Sequence, residues 1–167
     1  MKKQTTVLSC ALVTVWLTGL VAASAHCEIP CGIYGDRMRV DQLEEHFQTV
    51  ETSIQQIRKL GEDEEKNWNQ LVRWINNKEL HANKIQTIVY QYFMNQRITP
   101  VGKDEEGYDE YVEQITVLHR MLVRAMKAKQ TTDLEHVKQL HKLLDRFEYA
   151  YFEPTQKGHG HHHCSVR

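Results

Sequence analysis

Apolar residues recur along the first part of the chain at the spacing of an amphipathic helix. Between Arg37 and Leu60 every step is of three or four residues, which places the apolar positions on one stripe of a helix. Asp36 is suited to cap the start of this helix, and Gly61 its end. The stripe consists of Val40, Leu43, Phe47, Val50, Ile54, Ile57 and Leu60.

A second, longer helix is predicted from Glu62 to about Gln96, with two apolar patches. Residues 76–81 between the patches are mostly polar where the stripe should continue. This interruption indicates either a buried polar network or site, or a stretch where the helix leaves the core. The patches are Trp68, Leu71, Val72 and Ile75, then Ile85, Ile88, Val89, Tyr92 and Phe93.

Two further helices follow a loop over residues 97–107, which contains Pro100, Gly102 and Gly107. Residues 132–135 form a capping-box pattern that opens the fourth helix, and Pro154 stops it. The third helix has Tyr111, Ile115, Leu118, Leu122 and Met126 on one face; the fourth has Leu134, Val137, Leu140, Leu144, Phe147 and Tyr151 facing inward.

No segment shows a sustained period of two, and glycine and proline fall between the helical runs. Four amphipathic helices with short connections pack naturally as an antiparallel bundle. The sequence therefore predicts an all-α fold, with a four-helix bundle over residues 36–153 and an N-terminal metal-binding hook over residues 26–35.

The first 25 residues have the three parts of a secretory signal peptide. Lys2 and Lys3 are followed by an apolar run over residues 7–21 and by the small residues of 23–25. An uncleaved membrane anchor is the alternative, but the run is shorter than the roughly 20 residues of a typical span. We expect signal peptidase to cut after Ala25, which predicts an exported, periplasmic or extracellular protein that has left the membrane.

Charge and length narrow the class of protein. The 167 residues are enough for one domain with a sizeable core. Cleavage after Ala25 would leave 19 of the 21 basic residues against 22 acidic ones, a net charge of about −3. A charge so close to zero gives no indication of nucleic acid as a partner.

Common metal and haem motifs are missing from the helices. The sequence contains no Glu-x-x-His pair for a di-iron site, no Cys-x-x-Cys-His for covalent haem, and no His-Glu-x-x-His for a zinc hydrolase. The candidate chemistry therefore lies in the stretch after Ala25, which reads His-Cys-Glu-Ile-Pro-Cys-Gly-Ile-Tyr.

Cleavage would turn this stretch into a dense set of metal donors. His26 would contribute its new α-amine and its imidazole, Cys27 its amide nitrogen and thiolate, and Cys31 a second thiolate. Pro30 helps to turn Cys31 back toward Cys27. Nitrogen and sulfur donors in a plane suit Ni(II) or Cu(II), and a tetrahedral set would suit zinc. The alternative is a disulfide between Cys27 and Cys31, the default for cysteines of exported proteins.

The stretch from His26 to Tyr34 closely resembles the nickel hook of nickel-containing superoxide dismutases, His-Cys-x-x-Pro-Cys-Gly-x-Tyr, and matches every fixed position. The resemblance implies a helical bundle assembled as a homohexamer. It also implies one nickel ion per chain, which cycles between Ni(II) and Ni(III) while superoxide is converted to dioxygen and hydrogen peroxide. The implied ligands are His26, Cys27 and Cys31.

The same resemblance suggests roles for four further residues. Tyr34 would stand beside the open face of the metal, and Glu28 near the substrate approach. Asp41, allowing a one-residue shorter connection after Tyr34, would orient the axial imidazole. Tyr92 matches the family's second tyrosine near the metal pocket.

Two positions depart from the family pattern. Asn77 falls where an arginine that supports the imidazole is expected, and Met94 stands where a lysine is expected. The polar stretch around Asn77 and Glu79 is then a candidate for a different environment around the hook.

The tail offers an alternative function. Residues 158–164, which include four histidines and Cys164, could bind metal, although a terminal tract of this kind is commonly disordered. An exported, non-catalytic nickel or copper carrier is therefore the competing hypothesis.

Overall fold

The computed structural model describes residues 34–153 and shows four helices in an antiparallel bundle. Helix α1 packs most extensively on α2, and α3 on α4, while α2–α3 and α1–α4 contacts close the bundle. This confirms the predicted all-α fold; no strand occurs in residues 34–153. The helices are α1 (Asp36–Glu62), α2 (Trp68–Thr87), α3 (Tyr108–Gln130) and α4 (Glu135–Phe152), and a π-helical segment (Ile88–Arg97) continues α2 without a break.

Aromatic side chains fill the core between the π-helical segment and α4. The ring of Phe93 lies 4.9 Å from that of Phe147 and 5.7 Å from that of Tyr151, measured between centroids, with both contacts edge-on. Phe47, Phe93 and Phe147 are fully buried. Each contributes on the order of 2–3 kcal/mol by removal from water, so this end of the bundle is a firm support for nearby side chains.

The first half of α2 is more exposed than the apolar patch predicted. Trp68, Val72 and Ile75 are 67%, 52% and 38% exposed. The helix begins at Trp68 instead of Glu62, and the Asn67 side chain accepts a hydrogen bond from the Gln70 amide at 3.1 Å. Lys78 contacts the C-terminal end of α3, so the first ten residues of α2 project past α3 and have mainly α1 to pack against.

The inward face of α3 is rotated from the predicted one. Val117, Leu118, Met121, Ala125 and Ala128 are buried, whereas the predicted Met126 is 41% exposed. Alanines carry little apolar weight in a sequence pattern, yet their small side chains let neighbouring helices approach closely.

The start of α4 also differs from its prediction. The capping box between Thr132 and Glu135 is not formed; the Asp133 carboxylate accepts a hydrogen bond from the Glu135 amide at 2.9 Å instead.

Within residues 34–153, no helix is long and apolar enough to cross a membrane.

Candidate functional site

A carboxylate at the start of α1 binds side chains from two other parts of the bundle, the π-helical segment and α4. Asp36 Oδ1 accepts hydrogen bonds from the Tyr92 hydroxyl at 2.6 Å and from Arg97 Nε at 2.8 Å. Its Oδ2 accepts from Arg97 Nη2 and from the Tyr151 hydroxyl, each at 2.8 Å. These four hydrogen bonds use nearly all the acceptor positions of a carboxylate. We call Asp36, Tyr92, Arg97 and Tyr151 the Asp36 cluster.

The π-helical segment places two members of the Asp36 cluster on one face. Tyr92 and Arg97 are five residues apart, which in an α-helix separates side chains by about 140° around the axis. In a π-helix the hydrogen bonds run between residues five apart, as the Ile98 amide shows by bonding the Phe93 carbonyl at 3.0 Å. Residues five apart therefore share nearly the same face, and both side chains reach Asp36.

The Asp36 cluster holds its members in fixed protonation states. Burial alone would raise the pKa of Asp36, but the hydrogen bonds from Arg97, Tyr92 and Tyr151 outweigh it and lower the pKa. Burial, followed by the bond to Asp36, raises the pKa of each of the two tyrosines above its ordinary value. The carboxylate therefore stays ionised at neutral pH, and both phenols stay protonated.

Tyr34, the last residue of the hook motif, lies directly against this cluster. The Arg97 guanidinium carbon is 4.1 Å from the centre of the Tyr34 ring, a cation–π contact. The Tyr92 ring meets Tyr34 nearly edge-on, with centroids 6.1 Å apart. The Arg39 guanidinium carbon lies 5.0 Å from the centre of the Tyr92 ring. Two phenols and two guanidinium groups thus surround the point where the hook motif joins α1.

Comparison with known proteins identifies the family of this chain. The family model described as nickel-containing superoxide dismutase matches residues 21–155, which include both the hook motif and the helices. The chain belongs to the nickel-containing superoxide dismutase family. It is accordingly an oxidoreductase whose cofactor is nickel. No curated protein and no solved structure matched the chain.

The donor chemistry of the hook motif fits the family's metal. An imidazole and two thiolates are nitrogen and soft sulfur donors of the kind that suits Ni(II), and cleavage before His26 would add an amine. His26, Cys27, Glu28 and Cys31 all lie outside the described residues. In the part that the structure describes, no three His, Cys, Asp or Glu side chains are grouped so as to hold a metal.

The structure brings together two of the site residues that the family resemblance implied. Tyr34 and Tyr92 are in ring contact, although 58 positions separate them in the sequence. Asp41, by contrast, is exposed on α1 and is not a member of the Asp36 cluster. Its predicted role toward the His26 imidazole stays a prediction.

Three residues of this site were not predicted from the sequence. The sequence pattern predicts Asp36 as a helix cap, but the structure shows no capping hydrogen bond at the start of α1, and the Asp36 side chain bonds the cluster instead. The same pattern predicts Arg97 in a loop and Tyr151 in the core. The signal that could have found them is tyrosine, in place of phenylalanine, at two inward positions, because a buried hydroxyl needs a partner.

The polar interruption in α2 forms a different network. The Lys78 ammonium group donates to the carbonyls of Ala128 at 3.0 Å and Thr131 at 3.1 Å, and also to that of Lys129. Asn77 donates to the Ser53 hydroxyl at 3.0 Å. We call Ser53, Asn77 and Lys78 the Lys78 cluster. It binds the otherwise free carbonyls at the end of α3 and links α1 to α2.

The two polar clusters lie far apart along the bundle. Asp36 and Ser53 are 17 residues apart on α1, which corresponds to about 25 Å of helix. Within one chain, the Lys78 cluster is therefore remote from Tyr34. Its suggested role around the hook stays a prediction, because residues 26–33 lie outside the described residues.

Proposed function

We propose that the mature protein begins at His26 and converts two superoxide anions and two protons into dioxygen and hydrogen peroxide. The observation that carries this proposal is the family match over residues 21–155, which contains a complete hook motif directly after a predicted cleavage site. Nickel held by His26, Cys27 and Cys31, one ion per chain, would supply one-electron redox chemistry by cycling between Ni(II) and Ni(III).

The described residues support this proposal through the surroundings of Tyr34. A tyrosine at the end of the hook limits access to the open face only if its ring is held in place. Arg97 and Tyr92 contact that ring from two directions, and the aromatic core behind them is buried. The bundle thus provides a rigid support for the residue that would border the substrate.

Positive charge near Tyr34 favours an anionic substrate. The charge of Arg97 is balanced by Asp36, whereas Arg39 donates to the neutral Gln42 side chain at 2.8 Å and has no ion pair within residues 34–153. Arg39 therefore leaves a net positive charge beside Tyr92. It takes the place, in our proposal, of the lysine that Met94 replaces, because an unbalanced cation attracts superoxide toward the site.

Export and assembly belong to the same proposal. Cleavage after Ala25 creates the amine of His26, so signal peptidase would be needed to complete the site. The predicted location is periplasmic or extracellular, and the predicted assembly is a homohexamer. Glu28 would stand at the substrate approach, and Asp41 would orient the His26 imidazole.

The test combines intact mass, nickel content and activity of the exported protein. We expect a mass that begins at His26, one nickel per chain, and dismutase activity that is lost when Cys27 or Cys31 is replaced by serine. Replacing the four histidines of residues 159–163 with alanine is the matched control, and it should preserve both nickel and activity.

The competing carrier hypothesis predicts the opposite pattern. A carrier would bind nickel or copper loosely, lose it when the histidines of 159–163 are replaced, and show no turnover. A chain that retains residues 1–25, or that holds no nickel after supplementation, would contradict the proposed function.

A further inference from the structure

The connection between the hook motif and α1 is short and is anchored at one residue. Asp36 follows Tyr34 by two positions and Cys31 by five. Five residues span at most about 18 Å when fully extended. A side chain that fixes position 36 therefore restricts where the hook can lie relative to the bundle.

Asp36 also holds both groups that contact Tyr34. It binds Arg97 through two parallel hydrogen bonds, the geometry that most strongly orients a guanidinium group. It binds the hydroxyl of Tyr92 at 2.6 Å. Without the carboxylate, Arg97 loses both hydrogen bonds that set its plane over the Tyr34 ring. Tyr92 keeps its packing in the core but loses the hydrogen bond of its hydroxyl.

We infer that Asp36 is a positioning residue of the metal site, which holds Tyr34 in place through Arg97 and Tyr92. This inference rests on the proposed function. It assigns different tasks to the two tyrosines: Tyr34 borders the site, and Tyr92 supports Tyr34.

The state of the Tyr92 hydroxyl agrees with a supporting role. Its proton is donated to Asp36, so it is not free to be donated to a bound oxygen species at the same time. Burial and the neighbouring carboxylate raise the pKa of Tyr92, which keeps that proton in place over the working pH range.

The chain contains a matched control for a purely structural ion pair. Arg146 binds Glu113 with the same two nitrogens, Nε to Oε1 at 2.6 Å and Nη2 to Oε2 at 3.0 Å. Their side chains are 49% and 35% exposed, against 21% and 17% for Arg97 and Asp36. A variant of the Arg146–Glu113 pair therefore measures the effect of losing an arginine–carboxylate pair in general. A variant of the Arg97–Asp36 pair adds the effect of losing the pair beside Tyr34.

The experiment compares Asp36→Asn, Arg97→Lys and Glu113→Gln in the full chain, processed at His26 and loaded with nickel. Nickel per chain, helix content, kcat/KM and the pH profile of activity are measured for each variant. Asp36→Asn should retain nickel and helix content but lose about 10-fold in kcat/KM, since small misplacements of site groups have effects of this size or larger.

The pH profile of activity distinguishes a positioning role from a purely structural one, because a purely structural role would leave the profile unchanged. Without the carboxylate, the Tyr92 phenol ionises more readily, so the alkaline limb of the profile should shift to lower pH in Asp36→Asn. Arg97→Lys keeps the charge but loses the flat contact with Tyr34, and a loss of a few-fold is expected. Glu113→Gln should match the wild type within about 2-fold.

Defined outcomes overturn the inference. Wild-type kcat/KM and pH profile in Asp36→Asn would do so, as would a loss of equal size in Glu113→Gln. If Asp36→Asn fails to fold, Arg97→Lys decides the matter: wild-type kinetics in that variant contradict the inference.

Failure of the proposed function gives a separate signature. The nickel-loaded wild type would then show no turnover, yet nickel-free protein still reports on the cluster. NMR ring-proton shifts of Tyr34 should move in Asp36→Asn and stay unchanged in Glu113→Gln. Unmoved Tyr34 shifts in Asp36→Asn would contradict the positioning role even in an inactive protein.

Discussion

The two polar clusters of the bundle both interrupt the apolar core, but they differ in composition and in what they do. Each places a charged side chain where the apolar core would otherwise continue. In the Asp36 cluster the donors are an arginine and two phenols, and the acceptor is a carboxylate. In the Lys78 cluster the ammonium group is surrounded by main-chain carbonyls at the end of α3.

The difference lies in what each cluster completes. Lys78 satisfies carbonyls that every helix leaves free at its C-terminal end, so its task is finished within the fold. Asp36 orients an arginine and a tyrosine whose other sides contact Tyr34, so its effect extends to the hook motif. A polar residue in an apolar stripe therefore indicates a hydrogen-bond network. The other contacts of the residues in that network decide whether it positions a functional side chain.

The largest effect on stability is expected at the Asp36 cluster. Arg97→Ala leaves a mostly buried carboxylate without its cation and should lower the free energy of unfolding by about 3 kcal/mol. The matched Arg146→Ala change, at an exposed pair, should cost at most about 1 kcal/mol. Chemical denaturation of both variants measures the difference.

The pH dependence of that difference carries a definite sign. The folded-state pKa of Asp36 is lowered, so its contribution is present above the unfolded-state value of about 3.9 and is lost as pH falls through the folded-state pKa. The gap between wild type and Arg97→Ala should narrow in acid. A gap that stays constant would show that Asp36 is not the partner that matters.

A smaller loss of stability is expected at the Lys78 cluster. Lys78→Met keeps the length of the side chain but removes the donors to the α3 carbonyls, at a cost of about 2 kcal/mol. Activity per bound nickel should not change, because this cluster is remote from Tyr34. Lys129→Met is the control: its exposed ammonium group bonds only the Asn83 side chain at 2.7 Å among residues 34–153, and little change is expected.

A pair of histidines between the two clusters predicts a mild acid sensitivity. Their Nδ1 atoms lie 3.2 Å apart on α1 and α2. Burial lowers the pKa of both His46 and His81; the nearby Lys84 lowers it further, and Glu45 acts in the opposite direction.

These two histidines bind protons more readily in the unfolded chain than in the folded one, so their protonation destabilises the fold. Stability should fall as pH drops below the ordinary histidine pKa of about 6.5 and level off below the folded-state values. Replacing both histidines with glutamine should flatten this part of the curve, whereas His119→Gln should leave it intact. Thermal unfolding between neutral and mildly acidic pH measures the slope.

The smallest effect is expected from Glu79→Gln. Its carboxylate lies 3.8 Å from the Lys78 ammonium group and is partly exposed. Nickel retention and activity should stay within about 2-fold of the wild type. A large loss would mean that the Lys78 cluster does act on a hook, and would remove the distinction between the clusters.

Helix periodicity predicted much of the fold from the sequence. Val40, Leu43, Phe47, Val50 and Ile54 are buried as their spacing requires. Periodicity misled where residues pack for other reasons. Two alanines form part of the buried face of α3, and Trp68 lies on a part of α2 that projects past α3. A local pattern of apolar residues predicts neither how far a neighbouring helix extends nor where two helices approach closely at an alanine.

The sequence by itself determined the helices, the hook motif from His26 to Tyr34 and the family to which they point, because ligand spacing and amphipathic periodicity are local properties. Only the tertiary structure decided what supports Tyr34. Asp36, Tyr92, Arg97 and Tyr151 come from distant parts of the chain, and a π-helical turn aligns two of them. Such a cluster depends on which faces meet across the bundle, and packing of the whole core sets those faces.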